Sequence, residues 1–237
     1  MTEQALNSMT PQFFIIATPI GNRDDITTRA IQTLGEVDFI VAEDTRHTGQ
    51  LMALYGIKKP FISFRDAPSV IMDRSIKEVL DRLSRGESGA YVTDAGTPGV
   101  SDPGWRLVQA LKSATIPLTA LPGPAAVTML ISLADVPLEE YRFVGFLPKK
   151  KGFQTKVTDL VGYLNHKEIR GVVFYESPNR IRATLTDFMS QSPKLQAIVG
   201  RELTKKFETV YYGPLTKDFI TALPEKGEYV VLLTRIY

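Results

Sequence analysis

With 237 residues, 43% of them hydrophobic, the chain is long enough to bury a full core, and its length falls between one large domain and two modest ones. A net charge of +2 supplies no overall field that would mark a nucleic-acid binder, so any basic surface has to be local. The absence of cysteine excludes disulfides, thiolate metal sites and a cysteine nucleophile, and no apolar run reaches membrane-spanning length.

The first stretch, MTEQALNSMTPQ (1–12), lacks the basic start and apolar core of a signal peptide, so a mobile N-terminal tail on a cytoplasmic protein is expected. FFIIAT (13–18) reads as a strand running into Pro19-Ile20-Gly21-Asn22. Asp24 or Asp25 then starts a helix with Ile26, Ala30, Ile31 and Leu34 on one face. DFIVA (38–42) is a buried-type strand, followed by Glu43-Asp44-Thr45-Arg46-His47 and a helix carrying Leu51, Met52 and Tyr55 inward. PFISF (60–64), a helix with Ile76, Val79, Leu80 and Leu83, GAYVT (89–93), a helix with Leu107, Val108 and Leu111, and PLTAL (117–121) continue the alternation. Five strands separated by four helices predict a parallel sheet with right-handed crossovers.

LADVPLEEYR (133–142) breaks this rhythm, which sets the expected domains at 13–135 and 136–237. Beyond it come the strand RFVGFL, the basic turn Lys149-Lys150-Lys151-Gly152, a helix over 155–164 and the strand GVVFY (171–175). A helix with Ile181, Leu185 and Phe188, the strands LQAIVG, TVYYG and YVVLLT, and a short helix over 215–223 complete the chain. Several strands join without a helix, so the second sheet should be mixed.

The segment YVTDAGTPGVSDPG (91–104) organises the first half. Its glycines permit positive φ or close backbone approach, Pro98 and Pro103 restrict the loop, and Asp102 is placed to cap a helix starting at Pro103. Two other strand ends carry similar loops, at Pro19–Asn22 and at 122–126. The carboxyl ends of parallel strands face one edge, so the three should line a common crevice that binds a small ligand through backbone groups. No G-x-G-x-x-G follows the first strand, no P-loop occurs, no G-x-S-x-G is present, and neither His47 nor His166 has a partner at metal-ligand spacing. Dinucleotide oxidoreductase, P-loop nucleotidase, hydrolase and metal-site readings are unsupported.

ATPIGNRDDIT, VAEDTRHTG, VTDAGTPGVSDPG, LPGPAA, GFLPKKKG, FYESPNR and GRELTKKFE, in that order between residues 17 and 208, resemble the tetrapyrrole methylase superfamily, most closely its members acting on small-subunit ribosomal RNA. The resemblance implies two α/β domains, S-adenosylmethionine bound in the cleft between them, and a homodimer. It further implies methyl transfer to the ribose 2′-hydroxyl of a cytidine in the decoding region, with the rRNA or the small ribosomal subunit as partner. Carried over position by position, it assigns the methyl donor to Pro19, Gly21, Asp94, Ala95, Gly96, Thr97, Val100, Ala125, Ala126 and Tyr175. Tight helix packing is the alternative explanation of Ala125 and Ala126. The chain departs from the family pattern at Arg65-Asp66-Ala67-Pro68-Ser69, where a polar stretch with His and Asn is usual.

The transfer needs alignment of oxygen, methyl carbon and sulfur, and a proton acceptor, for which Glu176, Glu202 and Lys205 are the candidates. Arg180 and Arg201 are placed to hold phosphates bidentately, and Lys149, Lys150 and Lys151 beside Phe153 suit an RNA backbone and unpaired bases. A solvated ion-pair network is the competing reading of these charges. The rival functions are a tetrapyrrole methyltransferase and a non-catalytic ribosome-associated protein of the same fold.

Overall fold

The computed structural model describes residues 12–192 and 194–235, so the expected tail, Gln12 apart, lies outside the described residues. The described residues form two compact units that divide between Ala125 and Ala126.

In the first unit β1 (Phe13–Ile16), β2 (Phe39–Ala42), β3 (Phe61–Ser63), β4 (Gly89–Val92) and β5 (Leu118–Leu121) form an all-parallel sheet in the order β3-β2-β4-β1-β5. Every residue of β2 and β4 is buried, as a parallel sheet covered on both faces requires. Successive side chains feed opposite cores. Ile40, Ala42, Ala90 and Val92 meet Ala30 and Leu34 of α1 (Thr28–Glu36) and Met52 of α2 (Thr45–Leu54). Phe39, Val41 and Tyr91 meet Val79 and Leu83 of α3 (Ser69–Ser84) and Leu107 and Leu111 of α4 (Gly104–Ser113). From the neighbouring strands β1 and β4 the chain departs in opposite directions, to β2 and to β5 respectively. That makes their carboxyl ends the topological switch point, where open α/β sheets bind ligands.

Two helix starts differ from expectation. Asn22 accepts a hydrogen bond from Asp24 N at 3.1 Å and caps a single 3₁₀ turn, Arg23–Asp25; α1 begins only after Thr27, whose hydroxyl accepts from Ala30 N at 3.1 Å. Neither Asp24 nor Asp25 is a cap, because the nearer Asn and Thr side chains take the orphan N–H groups. Likewise α4 begins at Gly104, not Pro103. Asp102 still serves the same end, accepting from Gly104 N at 2.7 Å.

The second unit holds β6 (Tyr141–Phe146), β7 (Gly171–Glu176), β8 (Leu195–Arg201), β9 (Thr209–Pro214) and β10 (Tyr229–Arg235) in the order β6-β7-β10-β8-β9. Only β6 and β7 pair in parallel, so the sheet is mixed as expected. One face packs on α6 (Phe153–Asn165), α7 (Ile181–Gln191) and α8 (Lys217–Ala222) through Leu160, Leu164, Leu185, Phe188 and Ile220. Phe174 stacks on Phe188 with centroids 5.4 Å apart. A further helix, α5 (Ala126–Ile131), packs against β10 and β8, with Leu130 fully buried. The division therefore falls at 125/126 rather than 135/136: the polar break at 133–142 is a connection inside the second unit. Among the described residues no helix is long and apolar enough to cross a membrane.

Candidate active site

The loops after β1, β4 and β5 are pinned to one another. Thr18 and Gly96 exchange two backbone hydrogen bonds, at 3.0 and 3.1 Å, tying the first loop to the second. The Thr18 hydroxyl donates to Thr93 O at 2.9 Å, and the Thr93 hydroxyl to Gly96 O at 3.2 Å. Thr97 donates to Pro124 O at 3.0 Å, joining the second loop to the third. Two glycines are demanded by these approaches. Gly96 has φ +83° and a Cβ on it would stand 3.2 Å from Ile20 Cγ2; a Cβ on Gly123 would stand 2.8 Å from Ala17 Cβ. Asp102 accepts from Gly99 N at 2.5 Å and from the buried Tyr91 hydroxyl at 3.3 Å, which closes the 91–104 loop on itself.

These contacts bring together Pro19, Asp94, Gly96 and Thr97. Gly21, Ala95 and Val100 are exposed beside them, and Ala125 ends the first unit. Ala126 opens α5 of the second unit.

Acidic groups border the same edge. Asp94 accepts from Asp44 N at 3.0 Å. Burial pushes the Glu43 carboxyl above its ordinary range, and the negative charge of Asp94 adds to this although the Asp94 N–H bonds to it. Burial also raises the Tyr91 phenol, with the charges of Asp102, Glu43 and Asp94 acting in the same direction. Asp44 itself is held well below the carboxylate range, first by the Arg46 side chain.

In the second unit Glu176 is fully buried and saturated. Oε1 accepts from Ser177 N at 2.7 Å and Ser177 Oγ at 3.3 Å, while Oε2 accepts from Thr184 Oγ1 at 2.7 Å and pairs with Arg180 at 3.3 Å. Arg180 also donates to Leu147 O at 3.2 Å and Pro148 O at 3.0 Å. Its guanidinium is therefore taken up in holding the base of the basic turn, whose Lys149, Lys150 and Lys151 are all exposed. Arg201 is similarly engaged, donating to Lys226 O at 2.7 Å and Phe207 O at 3.2 Å. Lys205 bridges Glu202 at 3.4 Å and Glu228 at 2.8 Å. Burial works against the Lys205 ammonium, but bonds to Glu228 and Glu202 outweigh it and raise its pKa. For Glu202 burial raises the pKa, and the Glu228 N–H and Lys205 outweigh that and lower it. Tyr175 lies half-buried between Phe143 and Phe146, at centroid distances of 5.2 and 5.4 Å, and burial raises its phenol.

The family model for tetrapyrrole (corrin/porphyrin) methylases matches residues 12–217. The chain belongs to the tetrapyrrole methylase family. Among its relatives are proteins named ribosomal RNA small subunit methyltransferase I. That of Thermotoga maritima is 38% identical over 94% of this chain and 98% of its own length; that of Xylella fastidiosa is 42% identical over 92% and 80%. Solved tetrapyrrole methylases share the fold at low identity. A cobalt precorrin-4 methyltransferase superposes with a TM-score of 0.67 at 18% identity over 94% of each chain. Uroporphyrin-III C-methyltransferase from Thermus thermophilus, complexed with S-adenosyl homocysteine, gives 0.64 at 13% over 94% of this chain and 97% of its own.

Within this methylase, Glu43 and Tyr91 join the candidate site only through the fold. Glu43 stands in the VAEDTRHTG motif, but its approach to Asp94 depends on β2 and β4 being neighbours, which strand counting does not reveal.

Proposed function

We propose that this protein is a cytoplasmic S-adenosylmethionine-dependent methyltransferase that modifies the 2′-hydroxyl of a cytidine in the decoding region of small-subunit rRNA, working as a homodimer on the rRNA or the small subunit. The observation that carries the reading is the acid-bordered set of three pinned loops at the switch point of the first sheet. Family membership and rRNA-methylating relatives covering over nine-tenths of the chain support it.

The residues present fit the methyl donor. Gly96 and Gly123 keep backbones close where side chains would intrude, and Glu43, Asp94 and Asp102 lend negative potential to an edge that would meet a sulfonium and an ammonium. When bound, the sulfonium supplies an electrophilic methyl group. The chain's part is then to align, to neutralise and to accept a proton. Glu202, ionised and 18% exposed at its side chain, is the proposed acceptor. Lys205, held charged, orients it, and Glu176 positions Arg180 and through it the basic turn. Tyr175 is assigned to the adenosine on the family resemblance.

A tetrapyrrole substrate is the second reading, favoured by the names of the structural neighbours. Three consecutive exposed lysines suit a polyanion better. Labelled methyl donor offered separately with small subunits, naked rRNA and a tetrapyrrole precursor decides between them. Label in the RNA fractions supports the proposal; label in the tetrapyrrole alone refutes it.

A further inference from the structure

The segment 202–208, between β8 and β9, buries Leu203, leaves Lys206 and Phe207 exposed, and is braced by hydrogen bonds along its length. Glu202 and Thr204 adopt φ of +51° and +64°, a region that non-glycine residues occupy only when their surroundings enforce it. The enforcement is visible. Glu202 N donates to Glu228 O at 2.9 Å, Glu228 N to Glu202 Oε1 at 2.7 Å, and Lys205 N to Glu202 O at 2.9 Å. Thr204 N donates to the Glu208 carboxylate, and Arg201 reaches across to Phe207 O and Lys226 O.

At the end of this brace stands Phe207, 63% exposed, the most exposed aromatic side chain among the described residues. The Lys206 ammonium lies over its ring, 5.6 Å from the centroid. A single exposed apolar residue is ordinary. Here, however, Glu228 and one oxygen of Glu202, Oε1, pair with Lys205, and the Glu208 carboxylate accepts from Thr204 N, while Lys206 forms no ion pair among the described residues. The loop thus presents an exposed ring, one face of it toward an ammonium that has no ion-pair partner among the described residues, on a braced support. A π-face beside a positive charge is the two-point complement of one nucleotide, base on ring and phosphate on ammonium.

We propose that Phe207 and Lys206 form a stacking site for an unpaired base of the RNA substrate, Phe207 taking the base and Lys206 its backbone phosphate. The proposal rests on the RNA reading above and names a contact that reading does not include. Removal of one base–aromatic stack weakens single-strand binding by about 5- to 150-fold.

The test uses the full chain and a short single-stranded RNA carrying 2-aminopurine, whose fluorescence is quenched by stacking. Wild type should quench it on binding. Phe207→Ala should lose the quench and bind within the stated loss, Phe207→Tyr should restore both, and Lys206→Ala should bind more weakly with a log–log salt slope shallower by about 0.7. Melting temperature and S-adenosylmethionine affinity should not change in any of them, because both side chains face solvent. If wild type methylates RNA yet Phe207→Ala quenches and binds as wild type does, the stacking site is refuted and the RNA reading stands. If wild type neither binds the probe nor methylates RNA, both fall. Binding of the probe without quench in wild type overturns the stack itself.

Discussion

Replacing Gly96 with alanine should damage the proposed methyl-donor site more than it damages the fold. The new Cβ must occupy φ +83° and stand 3.2 Å from Ile20 Cγ2 and 3.5 Å from Pro124 O. The conformation alone costs about 1 kcal/mol or more, and the Ile20 contact brings the total to roughly 1–3 kcal/mol. Gly86, at φ +87° with no atom within 4 Å of its would-be Cβ, carries the same conformational strain without the contact. Comparing Gly96→Ala with Gly86→Ala by urea denaturation therefore isolates the close approach. Because Gly96 is bonded at both N and O to Thr18 and its carbonyl also accepts from the Thr93 hydroxyl, a shift there moves two of the three loops, and donor affinity should fall about tenfold or more, equivalent to ~1.4 kcal/mol. Gly86→Ala should leave it unchanged. Calorimetry with S-adenosylmethionine reads the difference, and equal affinities in the two variants would remove the pinned loops from the site.

The raised pKa of Glu43 means that its ionised form is disfavoured in the folded state. Stability associated with it is fully present below the ordinary value of 4.5 and is lost as pH rises through the folded pKa, so Glu43→Gln should raise the melting temperature at neutral pH and converge with wild type in acid, while weakening binding of the cationic methyl donor. Glu176→Ala strands Arg180 and three hydrogen-bond donors and should cost about 3 kcal/mol in denaturant, with Glu176→Gln retaining part of it; no loss would contradict the positioning role. Replacing Lys149, Lys150 and Lys151 together by alanine should flatten the salt slope of single-stranded RNA binding by about 2 without changing methyl-donor affinity. Sedimentation should give twice the chain mass for the proposed homodimer, and a monomer at working concentration would remove dimerisation from the proposal.

Both sheets were legible because their signals are local. The continuous apolar run of β2 could only be a doubly covered strand, and TVYYG following LQAIVG without a helix required antiparallel pairing. Helix starts were less legible, since Asn22, Asp24, Asp25 and Thr27 are all competent caps within six positions and only the path of the chain selects among them. The domain break was misplaced because α5 lies before a polar connection yet buries Leu130 on the second sheet. At the candidate site, the Gly/Pro composition of the loops after β1, β4 and β5 is visible in the sequence. The partners of the charged residues are not: Glu176 as a candidate base and as a buried anchor for Arg180 look the same until Thr184, Leu147 and Pro148 are seen around them. Glu43 reaches Asp94 only through strand order.

The reaction itself is tested most directly by nucleoside analysis. Small-subunit rRNA incubated with the enzyme and isotopically labelled S-adenosylmethionine is digested completely, and the labelled nucleoside is identified by mass spectrometry. Label confined to ribose-methylated cytidine is the expected result; label in a base-methylated nucleoside, or none in RNA at all, would contradict it.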